Sequence, residues 1–138
     1  MTAFLVDTNV ISELRKGNRA DPGVKQWFMD TESNNIYISV LVVGEMRRGI
    51  ELIRRRDPIS SQHLEAWLRR LLKEYGDHIL PVTQEIAELW GGLSLEKPLP
   101  PIDGLLAATA MYHNMVLITR NLRDFERASI KVLNPFAI

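Results

Sequence analysis

The chain has 138 residues, with 17 basic and 17 acidic side chains and no cysteine. This length fits one domain, the absence of cysteine excludes disulfide scaffolds, thiolate zinc sites and cysteine nucleophiles, and the balanced charge gives no argument for nucleic-acid binding. No apolar stretch approaches the ~20 residues that span a membrane, and Asp7 interrupts the first apolar run too early for a secretory signal. We therefore expect a soluble, cytoplasmic protein without membrane contacts.

The first half of the chain alternates between strand and helix patterns. The apolar run 4–6 predicts a buried strand that ends at Asp7, and apolar residues at 10, 11 and 14 indicate a helix that Gly17 breaks. Pro22 is expected to open a second helix. The run 36–38 predicts a second strand, after which Ser39 caps a long helix with an apolar face.

The second half continues the alternation. Helices are predicted over 59–75, 83–95 and 102–113, a proline-rich connector over 98–101, and strands over 79–80, 115–118 and 131–133. Strands separated by helices imply parallel pairing through right-handed crossovers. The predicted fold class is therefore α/β, a single domain over 1–138 with a mainly parallel sheet of about five strands and helices on both faces. Ligands of such sheets bind beyond the carboxyl ends of the strands.

Four acidic residues are candidates for one site at that end of the sheet, where strands and the first turns of helices converge: Asp7, Glu45, Asp103 and Asp124. Two carboxylates about 4 Å apart repel by roughly 4 kcal/mol at an effective dielectric near 20. Their convergence therefore requires a bound proton or a divalent cation. Ligand sets made only of oxygen favour Mg2+ or Mn2+ over zinc.

Each acid taken alone also fits an ordinary structural role. Asp7 and Asp124 are both positioned to cap a helix, and Asp103 in a first turn interacts favourably with the helix dipole. Glu45 has the i,i+3 spacing for an ion pair with Arg48. Spacing by itself leaves these structural alternatives open.

Basic residues form two clusters: Arg47, Arg48, Arg54, Arg55 and Arg56 in the first, and Arg69, Arg70 and Lys73 in the second. Such clusters are typical of a phosphate-binding surface or of a solvated helix face. The sequence leaves both interpretations open.

Four local strings carry a resemblance to a known family. They are Leu5–Ile11, Ile38–Val40 with Val43–Gly49, Ile102–Ala110, and Leu117–Asn121 with Asp124–Phe125. In this order and at these separations they resemble the PIN-domain nucleases, and specifically the VapC or FitB type of toxin from prokaryotic toxin–antitoxin pairs. The ending Leu133–Phe136 is similar to that of FitB-type members, so the resemblance covers essentially the whole chain.

The resemblance implies an Mg2+- or Mn2+-dependent endoribonuclease that cleaves cellular RNA. The family's four acidic positions correspond to Asp7, Glu45, Asp103 and Asp124, which would act as catalytic residues and metal ligands, and Asn121 is an alternative for the fourth role. Accessory polar positions correspond to Thr8, Asn9, Thr119 and Asn121. The implied partners are an antitoxin of the VapB or FitA type, which blocks the acidic pocket and binds operator DNA, and a second copy of the chain in a homodimer.

Two other interpretations remain at this point. A PIN fold that has lost catalysis would serve only as an RNA- or protein-binding module. A phosphoacceptor receiver domain also combines an α/β fold with acids that hold Mg2+. A receiver domain requires paired acids after its first strand and an acceptor aspartate after its third, whereas here a single acid follows the first strand and Pro81 follows the third.

Overall fold

A computed structural model describes residues 2–93 and 95–137, so predictions at positions 1, 94 and 138 lie outside the described residues. Within those ranges, five strands form one parallel sheet in the order β3-β2-β1-β4-β5. The strands are β1 (Phe4–Val6), β2 (Ile36–Ser39), β3 (Ile79–Leu80), β4 (Val116–Ile118) and β5 (Val132–Leu133). The predicted parallel five-stranded sheet is confirmed.

Helices connect the strands in the predicted alternation. They are α1 (Thr8–Ile11), α2 (Pro22–Asp30), α3 (Val40–Arg54), α4 (Pro58–Tyr75), α5 (Gln84–Gly91), α6 (Pro101–His113) and α7 (Leu122–Glu126), with short 3-10 segments at Ser12–Arg19, Ser33–Asn35 and Gly76–His78. None of the described helices is long and apolar enough to cross a membrane.

The central strands are buried on both faces of the sheet. Leu5 and Val6 are both 0% exposed, and successive side chains of a strand point to opposite faces. Apolar side chains must therefore cover each face. Helix α3 contributes its apolar stripe of Val42, Met46 and Ile50, which are all buried. This arrangement explains why the strands appear in the sequence as continuous apolar runs.

The strand order reverses between β1 and β4. From β1 the chain proceeds outward to β2 and β3, and β4 then returns to the other side of β1. Val6 lies opposite Ile118 in the register of this pair, so the residues that follow, Asp7 and Thr119, leave the sheet side by side. A crevice outside the carboxyl ends at such a reversal is the usual ligand site of an open α/β sheet.

Two predicted helices end more than one residue away from the predicted position, and several other boundaries differ by one residue. The helix predicted over 83–95 ends at Gly91, because two consecutive glycines disfavour helix, and the N–H of Gly92 closes the last turn on the Leu89 carbonyl. The first helix continues as a 3-10 segment through Arg19, with a kink at Gly17, whose φ is +59°. That backbone conformation is accessible to glycine at no steric cost.

Two arginines of the first basic cluster and one of the second join an ion network between α3 and α4. Arg47 forms a bidentate pair with Glu65, with both nitrogen–oxygen distances at 2.6 Å, and Arg54 also contacts Glu65 at 3.1 Å. Arg69 reaches the same carboxylate at 3.2 Å. These three arginines are therefore engaged by protein carboxylates, which supports the solvated helix face over a phosphate-binding surface.

Candidate active site

Asp7 lies at the strand-order reversal with both carboxylate oxygens occupied by hydrogen bonds. Oδ1 accepts from the Thr8 N–H at 2.7 Å, as expected of a helix N-cap. Oδ2 accepts from Thr119 Oγ1 at 2.8 Å and from Asn9 Nδ2 at 3.4 Å. Only 6% of the residue is exposed. Asp7 is thus both a cap of α1 and a rigidly held acid in the crevice.

Glu45 is connected to Asp7 through Thr8, which donates a hydrogen bond to each of the two carboxylates. It lies in the second turn of α3, and its Oε1 accepts a hydrogen bond from Thr8 Oγ1 at 2.5 Å. Helix α3 starts directly after β2, where Ser39 Oγ caps it by accepting from the Leu41 N–H at 3.0 Å. No ion pair joins Glu45 to Arg48 among the described residues, so that alternative is wrong.

Asp103 lies in the first turn of α6, which Pro101 opens. The next residue, Gly104, is packed so closely that a Cβ there would lie 2.8 Å from both Cδ1 and Nε1 of Trp90. The indole of α5 therefore lies directly against the turn that carries Asp103. The sequence offers no signal for this contact, because the two residues belong to different helices.

Asp124 lies inside α7 and does not cap it, so its predicted capping role is wrong. Asn121 occupies the N-cap position, and its Nδ2 donates to Asp124 Oδ2 at 2.8 Å. The Asn121 N–H donates to Thr119 Oγ1 at 3.0 Å, which in turn donates to Asp7. A continuous hydrogen-bonded path therefore connects Asp124 to Asp7.

The carboxylates affect one another's titration. Burial and, to a smaller extent, the charges of Asp103 and Glu45 raise the pKa of Asp7 to about 6, although the hydrogen bonds from Thr119 and Thr8 act to lower it. The pKa of Asp103 is raised by burial and then by the charges of Glu45 and Asp124. Every predicted acid therefore lies within electrostatic range of at least one other.

The donor set suits a hard divalent cation. Acids that lie within electrostatic range of one another, one of them buried and disfavoured as an anion, gain most from a bound cation. Across residues 2–93 and 95–137, no three His, Asp or Glu side chains lie close enough together to enclose an ion. Mg2+ commonly uses only one or two protein carboxylates and completes its shell with water and substrate phosphate, so this open arrangement fits it.

A small groove adjoins the acids on the α3 side. It encloses about 220 Å³, and its lining includes Thr8, Glu45, Met46 and Trp67. Most of its lining surface is apolar side chain. The acidic crevice is thus continuous with a groove in which Arg15 and Glu45 lie among apolar side chains.

The predicted accessory residues are contacts of these acids. Thr8 holds Glu45, Asn121 holds Asp124, and Thr119 holds Asp7. Asn9 joins the two halves of the crevice, because its Oδ1 accepts from the Arg120 N–H at 3.1 Å. Arg120 itself is not singled out by the sequence, although it stands between Thr119 and Asn121.

Comparison with known proteins identifies the class to which this fold and crevice belong. Residues 4–131 match the PIN domain family, and the chain belongs to that family. The receiver-domain interpretation is therefore wrong, and the sheet order agrees, since receiver domains follow the order 2-1-3-4-5.

The similar proteins include ones that are named ribonuclease and toxin. The chain is 30% identical to VapC ribonuclease Y4jK of Sinorhizobium fredii, with 96% of this chain and 97% of that protein covered. It is 28% identical to toxin FitB of Neisseria gonorrhoeae, with 96% and 98% covered. The solved structure of FitAB bound to an IR36 DNA fragment superposes with a TM-score of 0.87 at 28% identity, over 98% of this chain and 96% of that chain.

Proposed function

We propose that this protein is an Mg2+- or Mn2+-dependent endoribonuclease that acts as the toxin of a type II toxin–antitoxin pair. The observation that carries the proposal is the state of Asp7 at the strand-order reversal. It is 6% exposed, is held by Thr119 and Thr8, and has its pKa raised to about 6 by burial and by neighbouring acids. Similar proteins of nearly the same length that are named ribonuclease and toxin support the biological role.

The proposed site of the cation is formed by Asp7, Glu45, Asp103 and Asp124, of which one or two would bind the ion directly and the others through water. When bound, Mg2+ or Mn2+ supplies neutralisation of charge at the scissile phosphate and an activated water. The chain's own polar residues keep the carboxylates in fixed rotamers, since Thr8 holds Glu45 and Asn121 holds Asp124. Such fixed orientation lowers the reorganisation that the reaction requires.

The proposed partners follow from the same relatives. A structure of FitAB on DNA is a complex of one of them, and we expect this chain to bind an antitoxin of the VapB or FitA type. Contact with operator DNA would come only through that antitoxin. We also expect a homodimer, and we expect action in the cytoplasm because cellular RNA is the substrate.

A direct test uses the purified protein and total RNA. We expect cleavage with Mg2+ or Mn2+ that EDTA abolishes, and a loss of at least about 100-fold in rate for Asp103→Asn. Asp77→Asn is the matched control, because Asp77 is an exposed acid just before β3, at the opposite end of the sheet.

The alternative of a catalytically silent PIN module makes the opposite prediction. Such a protein would bind RNA or protein without cutting in any divalent metal. Cleavage that persists in EDTA, or an Asp103→Asn variant as active as the wild type, would contradict the proposed site.

A further inference from the structure

Arg120 stands between the two residues that hold acids on the β4 side of the crevice. Thr119 bonds Asp7, and Asn121 bonds Asp124. The backbone N–H of Arg120 is itself bonded to Asn9. Its position at the rim of the acidic crevice is therefore set from both sides along the chain and once across it.

The side chain of Arg120 is held on an aromatic ring. Its guanidinium carbon lies 4.5 Å from the ring centroid of Phe136, within the range of a cation–π interaction. Arg120 is exposed, and no carboxylate of the described residues lies within ion-pair distance of it. An aromatic face orients a guanidinium but leaves its N–H donors available to an anion.

The ring belongs to a C-terminal segment that is anchored to the start of α2. Asp21 Oδ1 accepts from the Ala137 N–H at 2.8 Å and from the Gly23 N–H at 2.8 Å. Gly23 permits this approach, since a Cβ there would lie 2.3 Å from the Pro135 carbonyl oxygen. The segment therefore cannot lie this close to α2 with any larger residue at position 23.

The negative charge of the crevice indicates why RNA binding needs an arginine beside it. A crevice of four carboxylates repels the phosphates of RNA, so binding requires cations beside it. Arg47, Arg54 and Arg69 are engaged by Glu65. Arg120 lies at the rim of the acidic crevice, its N–H donors are available to an anion, and Phe136 holds its guanidinium in a fixed orientation.

We propose that Arg120 binds a backbone phosphate of the RNA next to the scissile bond, and that residues 134–137 hold its guanidinium in position through Phe136. The inference rests on the proposed function, because it takes RNA as the ligand. Arg120 is a substrate-binding residue in this account, and the carboxylates remain the catalytic residues. The C-terminal segment thereby becomes a support of the active site.

The test measures binding of a fluorescein-labelled single-stranded RNA in EDTA by fluorescence anisotropy over a range of KCl concentrations, so that cleavage does not intervene. Arg120→Gln is expected to weaken binding about tenfold and to reduce the slope of log Kd against log[KCl] by about 0.7, the value for one phosphate contact on a single strand. Arg55→Gln, at the far end of α3, is the charge-matched control and should change neither quantity.

Three further variants separate the charge of Arg120 from the support that Phe136 gives it. Phe136→Leu and Gly23→Ala keep Arg120 and are expected to weaken binding about threefold, with most of the salt slope retained. Arg120→Lys keeps the charge, and it is expected to bind more weakly than wild type with the same slope. Thermal melts establish that each variant is folded, and Arg120→Lys carries the test if Arg120→Gln is not.

Each outcome bears on a separate claim. A folded Arg120→Gln variant with wild-type Kd and slope would overturn the inference. Loss of binding in Arg120→Gln with wild-type binding in Phe136→Leu and Gly23→Ala would overturn the role of the C-terminal segment. Failure of the wild type to cleave RNA in any divalent metal would contradict the proposed function. The binding measurement is made in EDTA, so its result does not depend on cleavage.

Discussion

Thr119 donates a hydrogen bond to Asp7 over 2.8 Å, joining the ends of β4 and β1 where the strand order reverses. The bond fixes the carboxylate in a place where its charge is disfavoured, because the residue is only 6% exposed and other acids are near. The folded protein therefore maintains an acid that a nearby cation would stabilise. The expected effects of Asp7→Asn and of divalent metal on stability both depend on this buried charge.

The Asp7→Asn variant is expected to be more stable than wild type in EDTA at about pH 8, by about 3 kcal/mol in the free energy of unfolding. The pKa of Asp7 rises from 3.8 to about 6 on folding, so between these values the folded protein binds a proton that the unfolded chain has lost. Stability therefore falls as pH rises through this window, and the cost is fully present above about pH 6. Urea denaturation at several pH values measures it.

The stability difference between Asp7→Asn and the wild type should vanish near pH 4. There Asp7 is protonated in the folded wild type, so the aspartic acid and the asparagine are both neutral. Asp77→Asn serves as the control, since Asp77 is exposed, and its substitution should leave stability unchanged within about 0.5 kcal/mol. An Asp7→Asn variant that is less stable than wild type at high pH would refute the argument from burial.

Divalent metal is expected to stabilise the wild type and not Asp7→Asn. Metal and proton compete for the Asp7 carboxylate, so the increase in Tm on adding Mg2+ or Mn2+ should grow as pH rises through about 6. A concentration about ten times Kd raises the free energy of unfolding by about 1.4 kcal/mol. Differential scanning calorimetry with and without EDTA measures the shift, and equal shifts in both proteins would exclude Asp7 as a ligand.

Much of the fold is predictable because its signals are local. A short apolar run that ends in a polar residue indicates β1 and β4, and Ser39 before an apolar stripe indicates the start of α3. Gly91 followed by Gly92 also marks the end of α5. Apolar residues at helical spacing continue beyond these glycines, however, and they lead to the prediction of a longer helix. The four acids are candidate site residues because each stands in a string that resembles the PIN-domain family.

The remaining features depend on contacts between distant parts of the chain. Nothing near Gly23 in the sequence indicates that the C-terminal segment approaches it, and nothing near Arg120 indicates Phe136. Likewise, nothing in the sequence indicates that Trp90 packs against α6. Packing of this kind is decided by the complete arrangement of elements, which periodicity and propensity do not describe.

Thr8→Val is expected to lower the cleavage rate about tenfold with little loss of stability. The substitution removes the hydroxyl that donates to Glu45 at 2.5 Å and keeps the side-chain volume, so Glu45 becomes free to leave the crevice. The carboxylate is half-buried and can bind water instead, which limits the loss in the free energy of unfolding to about 1 kcal/mol.

Thr8→Ser is the matched variant, because it restores the hydroxyl and removes only a methyl group. Measurement of kcat for both variants, with thermal melts alongside, isolates the hydrogen bond. Equal activity in Thr8→Val and Thr8→Ser would show that the bond to Glu45 has no part in the reaction.

Gly104→Ala is expected to destabilise the protein by about 1 kcal/mol, because the new Cβ would lie 2.8 Å from the Trp90 ring and displace it. Gly49→Ala is the control, since a Cβ at that helical position meets nothing within 4 Å, and alanine should stabilise helix α3 there by about 0.5–1 kcal/mol.

Both glycines lie inside helices, but a Cβ would meet another side chain only at Gly104, so a double-mutant cycle tests the cause. In a Trp90→Ala background the obstacle is gone, and Gly104→Ala should become stabilising by about 0.5–1 kcal/mol, like Gly49→Ala. Urea denaturation of the four proteins in the cycle gives the coupling energy. If Gly104→Ala remained equally destabilising without the indole, the contact with Trp90 would not be the reason for glycine beside Asp103, and a backbone requirement of the first turn of α6 would have to replace it.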